Sequence, residues 1–278
     1  MPPPSGFTRH VLVVVTIAWC AQIPLAAQGG APSTEELQKQ IQNPVANLIS
    51  VPFQNNINFP TGPYSRVQNV LNIQPVVPFR LTEHWNLITR WIAPVIYQPN
   101  VWAPQGSATG LGDLNPTFFL SPSKPSKLIW GFGPALLLPT ATDWTLGQGK
   151  WGTGPSLVLL TQPKPWTIGV LFNNIWSFAG NQDRRAVNQF LCQYFLNYNM
   201  KRGWYTGTQP ILTSNWMEDG ANRWTVPFGW SVGRIIQAGN LPINAQVGAY
   251  YNAIHPRDLP YGKWQLRVQV ALLFPKST

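Results

Sequence analysis

Between Gln265 and Phe274 hydrogen-bonding and apolar side chains alternate almost residue by residue, as Gln265-Leu266-Arg267-Val268-Gln269-Val270-Ala271-Leu272-Leu273-Phe274. In an extended strand this period of two puts Gln265, Arg267 and Gln269 on one face and Leu266, Val268, Val270, Leu272 and Phe274 on the other. Taking apolar neighbours as the outward set in the other strand-like stretches gives an inward face of Gln68, Asn72, Gln74, Asn86, Arg90, Asn115, Gln193, Gln209 and Gln246, with Thr117, Asn173, Gln189 and Thr213. Asp113, near one rim, is almost the only carboxylate among them. The chemistry open to such a set is non-covalent: carboxamides donate and accept, and guanidinium groups attract anions. An open passage lined this way would favour neutral or anionic solutes, whereas the same groups paired with one another would cross-link a closed lumen.

Covalent chemistry has less to stand on. Once the N-terminal leader (residues 1–27) is set aside, His84 falls in a short turn and His255 in a long loop, and the run His255-Pro256-Arg257-Asp258 lacks the neighbouring Ser and Asn that a barrel hydrolase would offer. Cys192 is the only cysteine left without the leader, which excludes an internal disulfide and argues against a thiolate zinc site. Gly147-Gln148-Gly149-Lys150 resembles a phosphate loop but opens no helix. The expectation is a protein that is not an enzyme, without metal or cofactor.

Strands must position the polar face, and twelve are expected, at 49–59, 67–79, 85–98, 112–121, 128–138, 151–161, 166–179, 187–200, 204–216, 223–235, 242–251 and 263–274. Connections alternate short and long, as in a transmembrane β-barrel with short turns at one end and long loops at the other. Aromatics follow the same division. Trp85, Trp130, Trp166 and Trp204, with Trp230, go to the short-turn end, and Trp151, Trp176, Trp216, Trp224 and Trp264 to the long-loop end, giving two girdles at the lipid interfaces. Pro75, Pro94, Pro116, Pro134, Pro210 and Pro227 fall inside expected strands and call for bulges or breaks there.

The 278 residues carry a formal charge of +10, yet only 10% are charged, 44% are hydrophobic and 14 are Trp, an economy of charge suited to a lipid-facing wall. Residues 1–27 read as a signal peptide, basic at Arg9 and His10, apolar from Val11 to Ala21, with small residues before Gln28. Residues 28–47 form an arm with a short helix capped by Ser33 and Glu36 and closed at Asn43-Pro44, and 48–278 form the barrel. The helix could rest at the barrel mouth, sit inside as a partial plug, or belong to a disordered arm. Bases crowd the short turns at Arg80, Lys124, Lys127, Lys164, Lys201 and Arg202. Others lie in the long loops at Lys150, Arg184, Arg185, Arg223, Arg257 and Lys263, where they suit lipopolysaccharide phosphates. No nucleic-acid-binding motif accompanies this charge.

Four stretches carry a resemblance: Gln42-Asn43-Pro44-Val45-Ala46-Asn47-Leu48-Ile49-Ser50-Val51-Pro52-Phe53-Gln54-Asn55-Asn56, Leu71-Asn72-Ile73-Gln74-Pro75-Val76-Val77-Pro78, Gly110-Leu111-Gly112-Asp113-Leu114-Asn115-Pro116 and Leu137-Leu138-Pro139-Thr140-Ala141-Thr142-Asp143. In them the chain resembles bacterial outer-membrane barrels labelled transporters or, misleadingly, neuromedin U, and more distantly barrels assigned to phenol degradation. The resemblance implies an outer-membrane barrel and a channel, but brings no established substrate or catalytic residue. The expectation is therefore an outer-membrane passive channel or transporter for small neutral, anionic or hydrophobic solutes. Its partners would be outer-membrane lipid and lipopolysaccharide, the barrel assembly machinery and the solutes themselves, with no nucleic acid. A closed-lumen structural or adhesive protein is the alternative, and a barrel lipid hydrolase a third reading.

Overall fold

The computed structural model describes residues 32–101, 106–124, 126–239, 241–258 and 261–275, so the leader expected at 1–27 lies outside the described residues. Twelve antiparallel strands form one closed wall. They are β1 (Ile49–Thr61), β2 (Arg66–Ile73 and Val76–Arg80), β3 (Trp85–Arg90 and Ala93–Gln98), β4 (Ala108–Leu111 and Thr117–Pro122), β5 (Ile129–Leu137) and β6 (Lys150–Thr161). The wall continues with β7 (Trp166–Gly180), β8 (Asn188–Asn199), β9 (Trp204–Thr208 and Ile211–Asn215), β10 (Trp224–Ala238), β11 (Leu241–Ile254) and β12 (Gly262–Phe274). Each strand pairs with its neighbours in sequence, and β12 returns to β1 in a register running from Ile49↔Phe274 to Thr61↔Gly262. Closure leaves no unpaired edge, the condition for backbone to lie in hydrocarbon.

Four strands are written in two pieces, and proline accounts for three of the breaks. Pro75, Pro116 and Pro210 sit in the gaps of β2, β4 and β9, where a residue without an N–H cannot serve the ladder. Pro227 falls at the register shift between β10 and β11. Pro94 and Pro134 instead stay in register, Pro94 opposite Asn72 and Pro134 opposite Pro155, so those two need no bulge. The β4 strand also starts four residues earlier than its spacing predicts, at Ala108, because its break at 112–116 hides the continuity of the two pieces.

One end of the barrel carries the connections after β2 (81–84), β4, β6 (162–165), β8 (200–203) and β10, and the other carries those after β3, β5 (138–149), β7 (181–187), β9 (216–223) and β11. A four-residue turn, 62–65, breaks the alternation by lying at the long-loop end. Apolar side chains such as Phe53, Phe132, Ile168, Phe228, Val232 and Val247 stand exposed around the outside, as a wall in lipid requires. Val268 and Val270, each 40% exposed at the middle of β12, belong to this band. Either one changed to Arg should lower barrel stability by roughly 2–4 kcal/mol near the bilayer midplane. Urea unfolding in lipid vesicles measures it, and a shift below about 1 kcal/mol would mean that this face does not meet lipid.

Before β1 comes the helix α1 (Thr34–Ile41). Ser33 begins it with a reciprocal cap, its hydroxyl accepting from Glu36 N–H at 3.2 Å while its own N–H donates to the Glu36 carboxylate at 2.8 Å. Pro44, with no N–H to continue the ladder, follows its end. Of the three sequence-based alternatives, the structure shows the arm inside the short-turn mouth. Leu37, Ala46 and Leu48 pack on Ile235, Ala271 and Leu273, and Val45 packs on Ile88, Phe119, Val158, Leu160, Leu171 and Phe195. A Cβ at Gly131 would lie 2.7 Å from Val45 Cγ1, so the wall is thinned there to admit the arm.

Candidate functional site

The arm fills the lower lumen and thereby creates a floor. Four side-chain bonds tie it to the short-turn end: Gln38 Nε2 donates to the Trp204 carbonyl at 2.8 Å and to that of Met200 at 3.4 Å, Gln42 Nε2 to Asn199 Oδ1 at 2.8 Å, and Gln162 Nε2 to the Lys39 carbonyl at 2.8 Å. An exposed Lys164–Glu35 pair at 3.4 Å adds little. A narrow space of about 120 Å³ remains beside the arm, lined by residues including Gln209, Gln246 and Gln269. Above it opens a cavity of about 460 Å³, within the size range of small-molecule sites. Gln54, Gln74, Arg90 and Gln193 line both spaces and mark the level where they meet.

Of the residues singled out by alternation, Gln68, Asn72, Gln74, Arg90, Asn115, Thr117, Asn173, Gln193, Thr213, Gln265 and Arg267 line the larger cavity. Gln189 lines a neighbouring hollow toward the long loops with Asn115 and Asn173. Asn86 lies lower, in a hollow of about 270 Å³ at the short-turn mouth, next to arm residues Val45 and Asn47. Asp113 is elsewhere again. Its carboxylate accepts from the backbone N–H groups of Ala141 and Gln148 and so pins the loop 138–149. In the same loop Thr145 donates to Asp143 from its hydroxyl at 2.6 Å and its N–H at 2.8 Å, which holds that carboxyl below the ordinary aspartate range.

Alternation applied strand by strand also reaches residues outside that set. Gln54, Asn56 and Asn58 on β1 and Asn252 on β11 line the cavity too. Their signal was present, since Ser50, Pro52, Gln54, Asn56 and Asn58 alternate with Val51, Phe53, Ile57 and Phe59, but the outward Asn55 blurs it. Tyr205 and Asn244, bonded at 2.8 Å, are a buried wall-to-wall contact, and a Cβ on Gly233 would strike the Tyr205 ring at 2.3 Å.

The two inward arginines differ in their partners. Arg267, 5% exposed, donates from Nε to Asn56 Oδ1 at 3.2 Å, from one terminal nitrogen to the Gln209 carbonyl at 2.9 Å and from the other to Gln265 Oε1 at 2.9 Å, and it stacks 4.5 Å from the centre of the Tyr250 ring. The Gln209 carbonyl lies at the Pro210 break of β9, three strands away from β12 along the wall, so Arg267 is a strut across the lumen. Arg90 donates to Gln74 Oε1 at 2.9 Å. Among the described residues no carboxylate lines either central space, and the ion pairs, Lys164–Glu35 and Arg185–Glu218, lie at the two ends. The lumen is therefore positive and amide-rich.

At the short-turn end Trp85 and Trp130 meet edge to face at 5.8 Å, Trp166 meets Tyr198 at 4.9 Å, and Trp204 carries the Arg234 guanidinium 5.0 Å above its ring. At the long-loop end Trp216 meets Trp224 at 5.5 Å and Trp264 meets Tyr251 at 4.9 Å, while Trp151 and Trp176 are exposed. Trp230 departs from its expected place. It stands four residues up β10 from Arg234, which pairs with Trp204, and so lies inside the apolar band with its indole N–H given to Thr206 Oγ1 at 2.5 Å. An indole in hydrocarbon needs such a partner.

No family model and no curated protein matches the chain, so the neuromedin label has no support from either. Solved structures do resemble it. An outer-membrane channel from Pseudomonas putida F1 aligns over 84% of this chain and 97% of its own, with a TM-score of 0.64 and 16% identity. The NanC porin aligns over 82% and 100%, with a TM-score of 0.50 and 10% identity. The outer membrane phospholipase A of Escherichia coli aligns over 89% and 100%, with a TM-score of 0.44 and 11% identity. At these identities the first two show that the fold is that of outer-membrane barrels.

Proposed function

We propose that the chain is a passive outer-membrane channel for small neutral, anionic or hydrophobic solutes, delivered by a cleaved signal peptide and part-stoppered by its own arm. The observation that carries this reading is the pair of lumenal spaces that share Gln54, Gln74, Arg90 and Gln193 in their walls, lined by amides and two arginines with, among the described residues, no carboxylate to cancel them. Low dielectric and confinement make such charges count for more than surface ones. In planar bilayers under a salt gradient the purified protein should give reversal potentials of anion preference. Cation selectivity, or no conductance at all, would overturn the reading.

The arm across the lower lumen favours one rival, a closed structural or adhesive protein, and the same conductance measurement separates the two. For a lipid hydrolase the support is thin: His255 Nδ1 lies 2.9 Å from the Pro256 carbonyl, and no hydroxyl bonds to that ring among the described residues. The partners in this reading are outer-membrane lipid, lipopolysaccharide, the barrel assembly machinery and the solutes, and not nucleic acid. Among the long-loop bases, Arg184 is spent on the carbonyls of Trp144, Gly147 and Gln148, and Arg185 and Arg223 are tied to Glu218. That leaves Lys150, Arg257 and Lys263 as the side chains suited to lipopolysaccharide phosphates.

A further inference from the structure

We propose that Arg90 binds a small organic carboxylate, whose oxygens meet its guanidinium and the Gln193 carboxamide while its carbon body lies against Ile92, Leu191 and Ile211. The inference rests on the lumen being open to solutes and names the class it selects. Both arginines face the same cavity, but they are not equivalent. Three acceptors and an aromatic face occupy Arg267. Arg90 has five N–H groups and, among the described residues, one acceptor, Gln74 Oε1. The Gln193 carboxamide, which lines the same two spaces, has no hydrogen-bond partner among the described residues. A lumenal guanidinium without a carboxylate gains most from an acceptor that brings negative charge and fits its planar fork, and a carboxylate does both.

The surroundings narrow the class further. Of the two cations of the cavity Arg90 commits one of its five N–H donors and Arg267 three, with an aromatic face on it besides, so a dianion such as phosphate held at Arg90 would be only half compensated. A monoanion is matched. Ile92, Leu191 and Ile211 line the larger cavity but not the narrow space below, so they give an apolar body a place on the long-loop side of Arg90. At about 460 Å³ that side has room for a short chain or ring.

The test is calorimetric titration of the full mature protein in lipid nanodiscs with hexanoate, its neutral analogue hexanamide, and inorganic phosphate. Hexanoate should bind about tenfold or more tightly than hexanamide, the scale of a charge-assisted hydrogen bond. Arg90→Gln should erase that preference and Arg90→Lys should keep part of it, with heat-modifiable migration in gels reporting that each variant folds. Equal binding of hexanoate and hexanamide to the unaltered protein overturns the proposal and requires no variant. Phosphate binding as tight as hexanoate, or a preference that survives in Arg90→Gln, overturns it too. If hexanoate binds through Arg90 but bilayers show no conductance, the channel reading falls and the site stands. Anion-selective conductance without hexanoate binding removes the site and leaves the channel reading standing.

Discussion

Deleting residues 32–46 should leave a folded barrel whose single-channel conductance is several-fold that of the intact chain. Every strand of the wall pairs only with other strands, so the hydrogen-bonded ring closes without help from the arm. The arm does something else. Val45 covers Ile88, Phe119 and Val158, side chains that point into the lumen and would otherwise face water, and Leu37 and Ala46 do the same for Ile235 and Leu273. Losing those contacts costs stability but frees the cross-section now filled by α1 and the segment after it. The polar anchors Gln38, Gln42 and Gln162 are few, and each bonds near the short-turn end. Conductance traces of the deleted and intact proteins at the same voltage and salt decide it. An unchanged conductance in a variant that still shows heat-modifiable migration would mean that the arm does not limit passage.

The barrel was largely legible in the sequence because its wall has lipid outside and polar contacts inside, and a period of two records that asymmetry in every strand. In β12 the alternation of Gln265, Arg267 and Gln269 with Val268 and Val270 names both faces at once. What stayed hidden involves contacts between parts remote in sequence. Val45 reads as one apolar residue in a polar arm, and only the fold brings it to Ile88 and Phe119. Proline signals strand breaks well where the break is backbone-driven, as at Pro75 and Pro210. It misleads at Pro134, whose partner across the ladder is Pro155. Trp230 misled for a related reason, since an indole near a turn in sequence is also satisfied mid-wall when a neighbouring strand offers Thr206.

The same limit explains why the two lumenal arginines look interchangeable in the sequence. Substitution of Arg267 by Met should destabilise the barrel by about 2–4 kcal/mol. The change leaves the Gln209 carbonyl and Gln265 Oε1 without a donor and Asn56 Oδ1 with only Gln54 Nε2 at 3.3 Å, and each unsatisfied buried acceptor costs about 1–3 kcal/mol. Water from the adjoining cavity recovers part of this, which keeps the sum in the lower part of the range. Pro210 is the root of the arrangement. By breaking β9 it leaves the Gln209 carbonyl at a gap in the ladder, and only a long, forked donor on a distant strand can reach it. Arg267→Lys should recover no more than about half of the loss, because an ammonium cannot address three acceptors in that geometry. Arg90→Met, which strands only Gln74 Oε1, should cost about 1 kcal/mol. Equilibrium urea unfolding in lipid vesicles, followed by tryptophan fluorescence, measures all three. Equal losses for the Arg90 and Arg267 variants would show that Arg267 is not a strut, and that the charge of both residues, rather than their partners, sets their place in the lumen.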